Sequence, residues 1–211
     1  ALDMEVYHHG KIRKTYKKVL NNEIEQWLAE KYKGVSEWME SDNEWNLHRD
    51  AGIEIEDYIN LIKATYNGIK RGNPDMKLMG GDWGGYIMKD FRTICETGGL
   101  DYMDGFSYHV YFSTKGPADA GTFTQGEAVR NLLKEFGHED MPLFLTENGW
   151  TDNLAQSITL EDEAMWHAQL IMQNSAWKTF DKIYPYEFQN SGVEKSYQEA
   201  VYGVTYSPYD T

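Results

Sequence analysis

Pro142-Leu-Phe-Leu-Thr-Glu-Asn-Gly-Trp150 runs apolar without a break and then turns abruptly to a carboxylate, an amide and an indole. Continuous rather than alternating apolarity over Met141–Leu145 is the pattern of a strand in a parallel sheet covered on both faces. Glu37-Trp-Met-Glu-Ser-Asp-Asn-Glu-Trp-Asn46 ends in the same way. Each stretch delivers a glutamate, Glu147 in one and Glu44 in the other, where a strand-like run gives way to polar loop residues.

Working outward, strand-like and helix-like segments alternate. Strands are expected at Val35–Met39, Lys77–Trp83 (ending in a glycine-rich bend), Met103–Phe112, Met141–Leu145 and Ile183–Phe188. Helices are expected over 11–33, 54–71, 86–97, 125–137 and from the capping box Thr159-Leu-Glu-Asp162 to about Phe180. The first places Val19, Leu20, Ile24, Trp27 and Leu28 on one face, with Gly34 past its last turn. The second groups Ile55, Tyr58, Ile59, Ile62, Tyr66 and Ile69 and stops at Asn73-Pro74. Strand starts recur every 27 to 42 residues or so, the length of a βα repeat. The fold class is therefore α/β with a parallel sheet, in one domain over 1–211 with no linker.

A formal charge of −14 argues against a nucleic-acid partner, and no apolar run is long enough to span a membrane. Seven Trp and fifteen Tyr suit both core packing and stacking on sugar faces. The lone Cys95 excludes an internal disulfide and reads as a helix core residue. His8-His9 lacks a third ligand at a recognisable spacing, so no metal site is read there. His48-Arg49-Asp50 reads as a loop, with no glycine-rich loop or Asp-Phe-Gly to make it a kinase motif. No Gly-x-Ser-x-Gly elbow, P-loop or dinucleotide-binding glycine run occurs, and no cofactor is implied.

Polar residues collect at one place on every repeat. Asn43-Glu44, Asp82-Trp83, His109 to Tyr111, Glu147-Asn148 and Glu187 to Gln189 all fall at C-terminal strand ends. A (β/α)₈ barrel gathers its active site on that rim, whereas an open sheet concentrates it at a switch point. Here the sequence resembles the clan A glycoside hydrolases, which include cellulases, β-xylosidases and α-iduronidases. Asn43-Glu44 matches the end of their fourth strand, Thr146-Glu147-Asn-Gly-Trp150 the seventh, Ser107-Tyr-His-Val-Tyr111 the sixth and Tyr184-Pro-Tyr-Glu-Phe188 the eighth. Tyr202-Gly-Val-Thr-Tyr206 also fits. Trp45 departs from the pattern, since many members carry Pro after the first glutamate. Strands one to three and the last helix have no counterpart. The expectation is an incomplete TIM barrel, either an excerpt of a longer protein or one completed by a partner chain.

The resemblance implies a retaining glycosidase acting on an oligo- or polysaccharide, with secretion as a corollary. Glu44 would be the general acid/base and Glu147 the nucleophile, a pair of carboxylates working by double displacement. Asn43 would hold the sugar 2-hydroxyl. Tyr111 or His109 would touch the sugar or orient Glu147. Trp83 and Trp150 would stack on sugar rings, with core packing as an equal alternative, and either Tyr186 or Glu187 would face the pocket. The rival reading is a non-catalytic carbohydrate-binding or structural protein on a degenerate barrel. A metal-dependent barrel enzyme would need further ligands.

Overall fold

The computed structural model describes residues 23–47, 54–111, 114–155 and 158–205. Residues 11–22 of the first expected helix, with Val19 and Leu20, lie outside these, as do His8-His9, His48-Arg49-Asp50, Phe112 and Tyr206. The chain forms two compact units, Ala1–Phe106 and Ser107–Thr211, each α/β.

The first unit contains α1 (Glu23–Lys31), β1 (Trp38–Glu40), α2 (Ile55–Gly72), β2 (Lys77–Gly84), α3 (Met88–Glu96) and the opening of β3 (Gly105–Tyr111). β1 and β2 are parallel, with Met39 opposite Leu78. α2 buries Tyr58, Ile59, Ile62 and Ile69, the face its 3.6-residue spacing marks. It lies flush on β2: a methyl on Gly80 would come within 2.3 Å of Ile62 Cδ1.

The second unit holds the rest of β3, then α4 (Thr122–Glu135), β4 (Leu143–Gly149), α5 (Leu160–Trp177) and β5 (Lys182–Pro185), with strand order β3-β4-β5. β4 and β5 are parallel, and their register slips between Leu145 and Asn148. Leu143, Phe144 and Leu145 are each at most 2% exposed, as continuous apolarity requires. The Thr159–Asp162 capping box forms in both directions, with Asp162 N–H on Thr159 Oγ1 at 3.1 Å and Thr159 N–H on Asp162 Oδ2 at 3.2 Å. Among the described residues, no helix is long and apolar enough to cross a membrane.

Several expectations need correction. Ile24 and Trp27 face solvent, and α1 buries Ala29 instead. Gly72 explains the inversion: a methyl there would sit 2.1 Å from the Gln26 carbonyl oxygen, so the helices meet through small groups rather than large apolar ones. Val35 is exposed in the turn after α1, where its N–H and that of Ser36 both close on the Tyr32 carbonyl. The first strand therefore begins at Trp38. Gly80-Gly81 form no terminal bend but lie buried inside β2. β5 ends at Pro185, leaving Phe188 exposed.

An aspartate precedes a strand in each unit and fastens the start of the previous one. Asp104 N–H bonds the Leu78 carbonyl at 2.8 Å, and its carboxylate accepts Leu78 N–H at 2.9 Å and pairs with Lys70 of α2 at 2.9 Å. Asp181 does likewise with Leu143, at 2.9 Å and 2.8 Å, and pairs with Arg130 of α4 at 2.6 Å. Leu78 is fully buried, so Asp104→Ala would strand its N–H at a cost of about 1–3 kcal/mol. Asp104→Asn keeps an acceptor and should cost less. Urea unfolding distinguishes them: equal losses would mean that the Lys70 ion pair, rather than the buried amide, carries the contribution.

Candidate active site

In the first unit, the chain leaving β1 wraps around the buried carboxylate of Asp82. Ser41 Oγ donates to Asp82 Oδ2, Asp42 N–H reaches the same oxygen at 3.2 Å, and Glu44 N–H bonds the Asp82 carbonyl at 2.8 Å. Glu44 and Asp82 both adopt left-handed backbone, φ 47° each, a conformation uncommon for residues with a Cβ. Asn46 then clips the loop to β2, exchanging side-chain bonds of 2.8 Å with the Gly84 carbonyl and N–H. Gly84 leaves room for the half-buried Glu44 side chain, since a methyl there would fall 3.1 Å from both Glu44 Cδ and Oε1. Asn43 is exposed at the tip of the turn.

Trp45 and Trp83 belong to the interior beneath this loop. Their centroids lie 5.7 Å apart, and both pack against Tyr58, whose hydroxyl accepts Gly81 N–H at 2.6 Å. Trp83 donates its indole N–H to Asp90 at 3.0 Å. Burial, and then the charge of Asp82, raise the Tyr58 pKa well above its usual value.

In the second unit, β3 and β4 bring His109, Tyr111 and Glu147 together. Tyr111 donates its hydroxyl to Glu147 Oε2 at 2.6 Å, and buried His109 places Nδ1 3.5 Å from the same oxygen. The Glu147 side chain is 27% exposed. Neighbouring Asn148 faces away and donates to the Val110 carbonyl at 2.8 Å. Tyr186 joins the cluster, its ring against Tyr111 and Tyr202 at 6.2 and 5.7 Å. Burial and the charges of Glu187, Glu199 and Glu147 push its hydroxyl up to about 12. Glu187, the other candidate, turns its carboxylate to Ser191 N–H at 3.2 Å. The Tyr186-Glu187 peptide is cis. Gly149 is required here, because a methyl would lie 2.0 Å from the Tyr186 carbonyl oxygen. Trp150 is buried, donating to the Lys115 carbonyl at 2.8 Å and packing against Trp166 and His167.

No protein-family model matches the sequence, and no curated protein does. Solved structures share its fold. It is similar to a family 39 glycoside hydrolase from the gut symbiont Bacteroides cellulosilyticus WH2, at TM-score 0.73 and 20% identity, over 86% of this chain and 39% of that one. A monomeric β-xylosidase from Caulobacter crescentus CB15 matches at TM-score 0.65 and 16% identity, over 88% and 42%. A family 86 β-porphyranase from Bacteroides plebeius matches at 0.58 and 17%, over 88% and 38%. The chain thus spans about two fifths of the length of these enzymes.

Sequence reasoning passed over Glu163 and His167, on one face of α5 at a four-residue spacing. Both are buried, and Glu163 Oε1 and both His167 ring nitrogens have no hydrogen-bond partner among the described residues. Burial, then the charge of Asp152, lift Glu163 from 4.5 to about 7, partly offset by Lys195, while burial lowers His167 from 6.5 to about 4. Glu163 holds its proton up to about pH 7 in the folded chain, so its stabilising contribution is full below pH 4.5 and is lost as pH rises through about 7. His167 stays neutral when folded, so its contribution is full above pH 6.5 and is lost as pH falls to about 4. The two slopes oppose each other in the parent protein. Glu163→Gln should unmask the histidine, so that stability relative to the parent rises from pH 4.5 to 7. Thermal melts over this range would contradict that assignment if the two profiles ran parallel.

Proposed function

We propose that this chain is the strand-four-to-eight portion of a (β/α)₈ retaining glycoside hydrolase, with Glu147 as nucleophile and Glu44 as general acid/base. The observation that carries the reading is the setting of Glu147. It lies near the C-terminal end of a buried parallel strand, remains partly open to solvent, and is gripped by Tyr111 at 2.6 Å with His109 beside it. A carboxylate that must attack an anomeric carbon needs such orientation and a fixed charge state. The order Asn-Glu after β1, then a second Glu three strands later in β4, supports the assignment, as does likeness of fold to a family 39 glycoside hydrolase and a β-xylosidase.

In the proposed mechanism Glu147 attacks the anomeric carbon as Glu44 protonates the departing glycosidic oxygen. Glu44 then takes a proton from the water that displaces Glu147, so configuration is retained. Asn43 bonds the sugar 2-hydroxyl, and Tyr111 holds Glu147 in line. Tyr186 forms an aromatic wall, whereas Trp83 and Trp150 support the site through the core. The substrate is an oligo- or polysaccharide, and the remaining barrel strands come from sequence beyond this chain or from a partner.

The test is hydrolysis of a panel of aryl glycosides by the protein carrying this chain, with the anomer formed first read by proton NMR. Retention is expected. Glu147→Gln and Glu44→Gln should each lower turnover by about 10²–10⁴-fold or more. Unchanged turnover in either would sink the role assignments, and activity against no glycoside would favour the non-catalytic binding protein. Tyr111→Phe removes a hydrogen bond to a charged group, worth about 1.5–3 kcal/mol, and should cost roughly ten- to hundredfold in kcat/KM without loss of folding.

A further inference from the structure

A cavity of about 340 Å³ opens in the second unit between the first turns of α5 and the strip that follows β5. Leu160, Glu163, Ala164 and His167 form one wall, at the i, i+3, i+4, i+7 positions of a single helical face. Asn190, Gly203, Val204 and Thr205 form the other, and Asp152 closes one end. The wall is built rather than accidental. Asn190 Oδ1 fastens Gly203 N–H at 2.7 Å, Thr205 N–H and Oγ1 bond the Phe188 carbonyl at 3.1 and 2.8 Å, and the capping box fixes the start of α5.

Glu163 and His167, 5% and 7% exposed, carry polar atoms with no partner among the described residues. Leaving such groups unmet costs on the order of 1–3 kcal/mol each. The polar atoms point to a ligand, and their electrostatics narrow its class. An anion would meet the carboxylate of Asp152. A metal ion would find Asp152 already held by Lys195 at 2.5 Å, with that ammonium beside it, and Glu163 Oε1 and His167 Nε2 4.0 Å apart. Hydroxyl groups, which both donate and accept, suit a carboxyl group and a neutral imidazole together. The volume lies near the lower end of small-molecule pockets, about 300–1,000 Å³, which is room for one ring.

We propose that this cavity binds a neutral polyhydroxylated ligand, a single sugar ring, at a site separate from the Glu147 carboxylate. Neither Glu147, Tyr111 nor His109 lines it, but both of its walls reach that cluster. His167 packs edge-on against Trp150, three residues beyond Glu147, at 4.9 Å. Gly203 follows Tyr202, whose ring lies 5.3 Å from Tyr111. An occupied cavity would therefore brace the nucleophile's surroundings from behind.

Saturation-transfer NMR with D-glucose, D-xylose and D-galactose tests the site in the parent protein and three variants. Glu163→Leu removes the carboxyl, and Val204→Trp fills the cavity from an exposed position, so folding does not depend on both variants surviving. Glu147→Gln reports on the other site. The expected result is transfer in the parent and in Glu147→Gln, reduced at least tenfold in the two cavity variants. Transfer that survives both cavity variants, disappears with Glu147→Gln, or occurs with no sugar overturns the proposal. So does a ZnCl2 titration whose binding is abolished by Glu163→Leu. Loss of glycosidase activity in the Glu147 variant leaves this result unaffected, so the two readings fail independently.

Discussion

Everything at the C-terminal ends of the strands depends on how those strands are fastened at their starts. Asp104 and Asp181 each trade two backbone-directed bonds with the first core residue of the preceding strand, Leu78 or Leu143. Each also draws in a cation from the helix before that strand, Lys70 or Arg130. A parallel strand slipped by one residue would turn every side chain to the opposite face, so this end needs one answer. The acidic residue supplies it by accepting the N–H that would otherwise be buried without a partner.

The consequence appears four residues later. Leu78 to Asp82 and Leu143 to Glu147 are equal steps, about 13 Å along a strand at roughly 3.3 Å per residue. In both units an aspartate clamp at one end therefore fixes the height of a carboxylate at the other. The two carboxylates then part in character. Asp82 is fully buried and its Oδ2 accepts from both Ser41 and Asp42, shaping the loop that carries Glu44. Glu147 keeps partial exposure beside Tyr111 and His109.

Much of this was legible because burial on both faces leaves a plain mark in sequence. The run before Glu147 could be read as a parallel strand, and Thr159 to Asp162 as a helix start, from local chemistry alone. What escaped depended on which way a side chain points across a contact. For Trp83 and Trp150 sugar stacking and core packing stood as equal readings, and the contacts decide between them: their indole N–H groups are committed to Asp90 and the Lys115 carbonyl in the interior. Ile24 and Trp27 had the spacing of a buried face but lost it to a contact made by Gly72, which periodicity cannot register. Glu163 and His167 sat unremarked because a Glu and a His one helical turn apart usually face water. Only the fold shows that their turn is covered.

The neighbourhoods of the two glutamates also bear on their proposed division of labour. A nucleophile must remain ionised while poised against carbon, and a hydroxyl donor on its carboxylate favours that form. Tyr111 occupies that place on Glu147. The acid/base must instead exchange a proton twice in each cycle, which calls for freedom to move by fractions of an ångström between leaving oxygen and water. Glu44 stands on a turn rather than in a strand, its backbone pinned through Asp82, with its carboxyl group over Gly84, where no Cβ crowds it. The glycine and the left-handed backbone thus serve the same end. The glycine leaves room for the Glu44 carboxyl group, and the left-handed backbone sets where it emerges, as the proposed acid/base role requires.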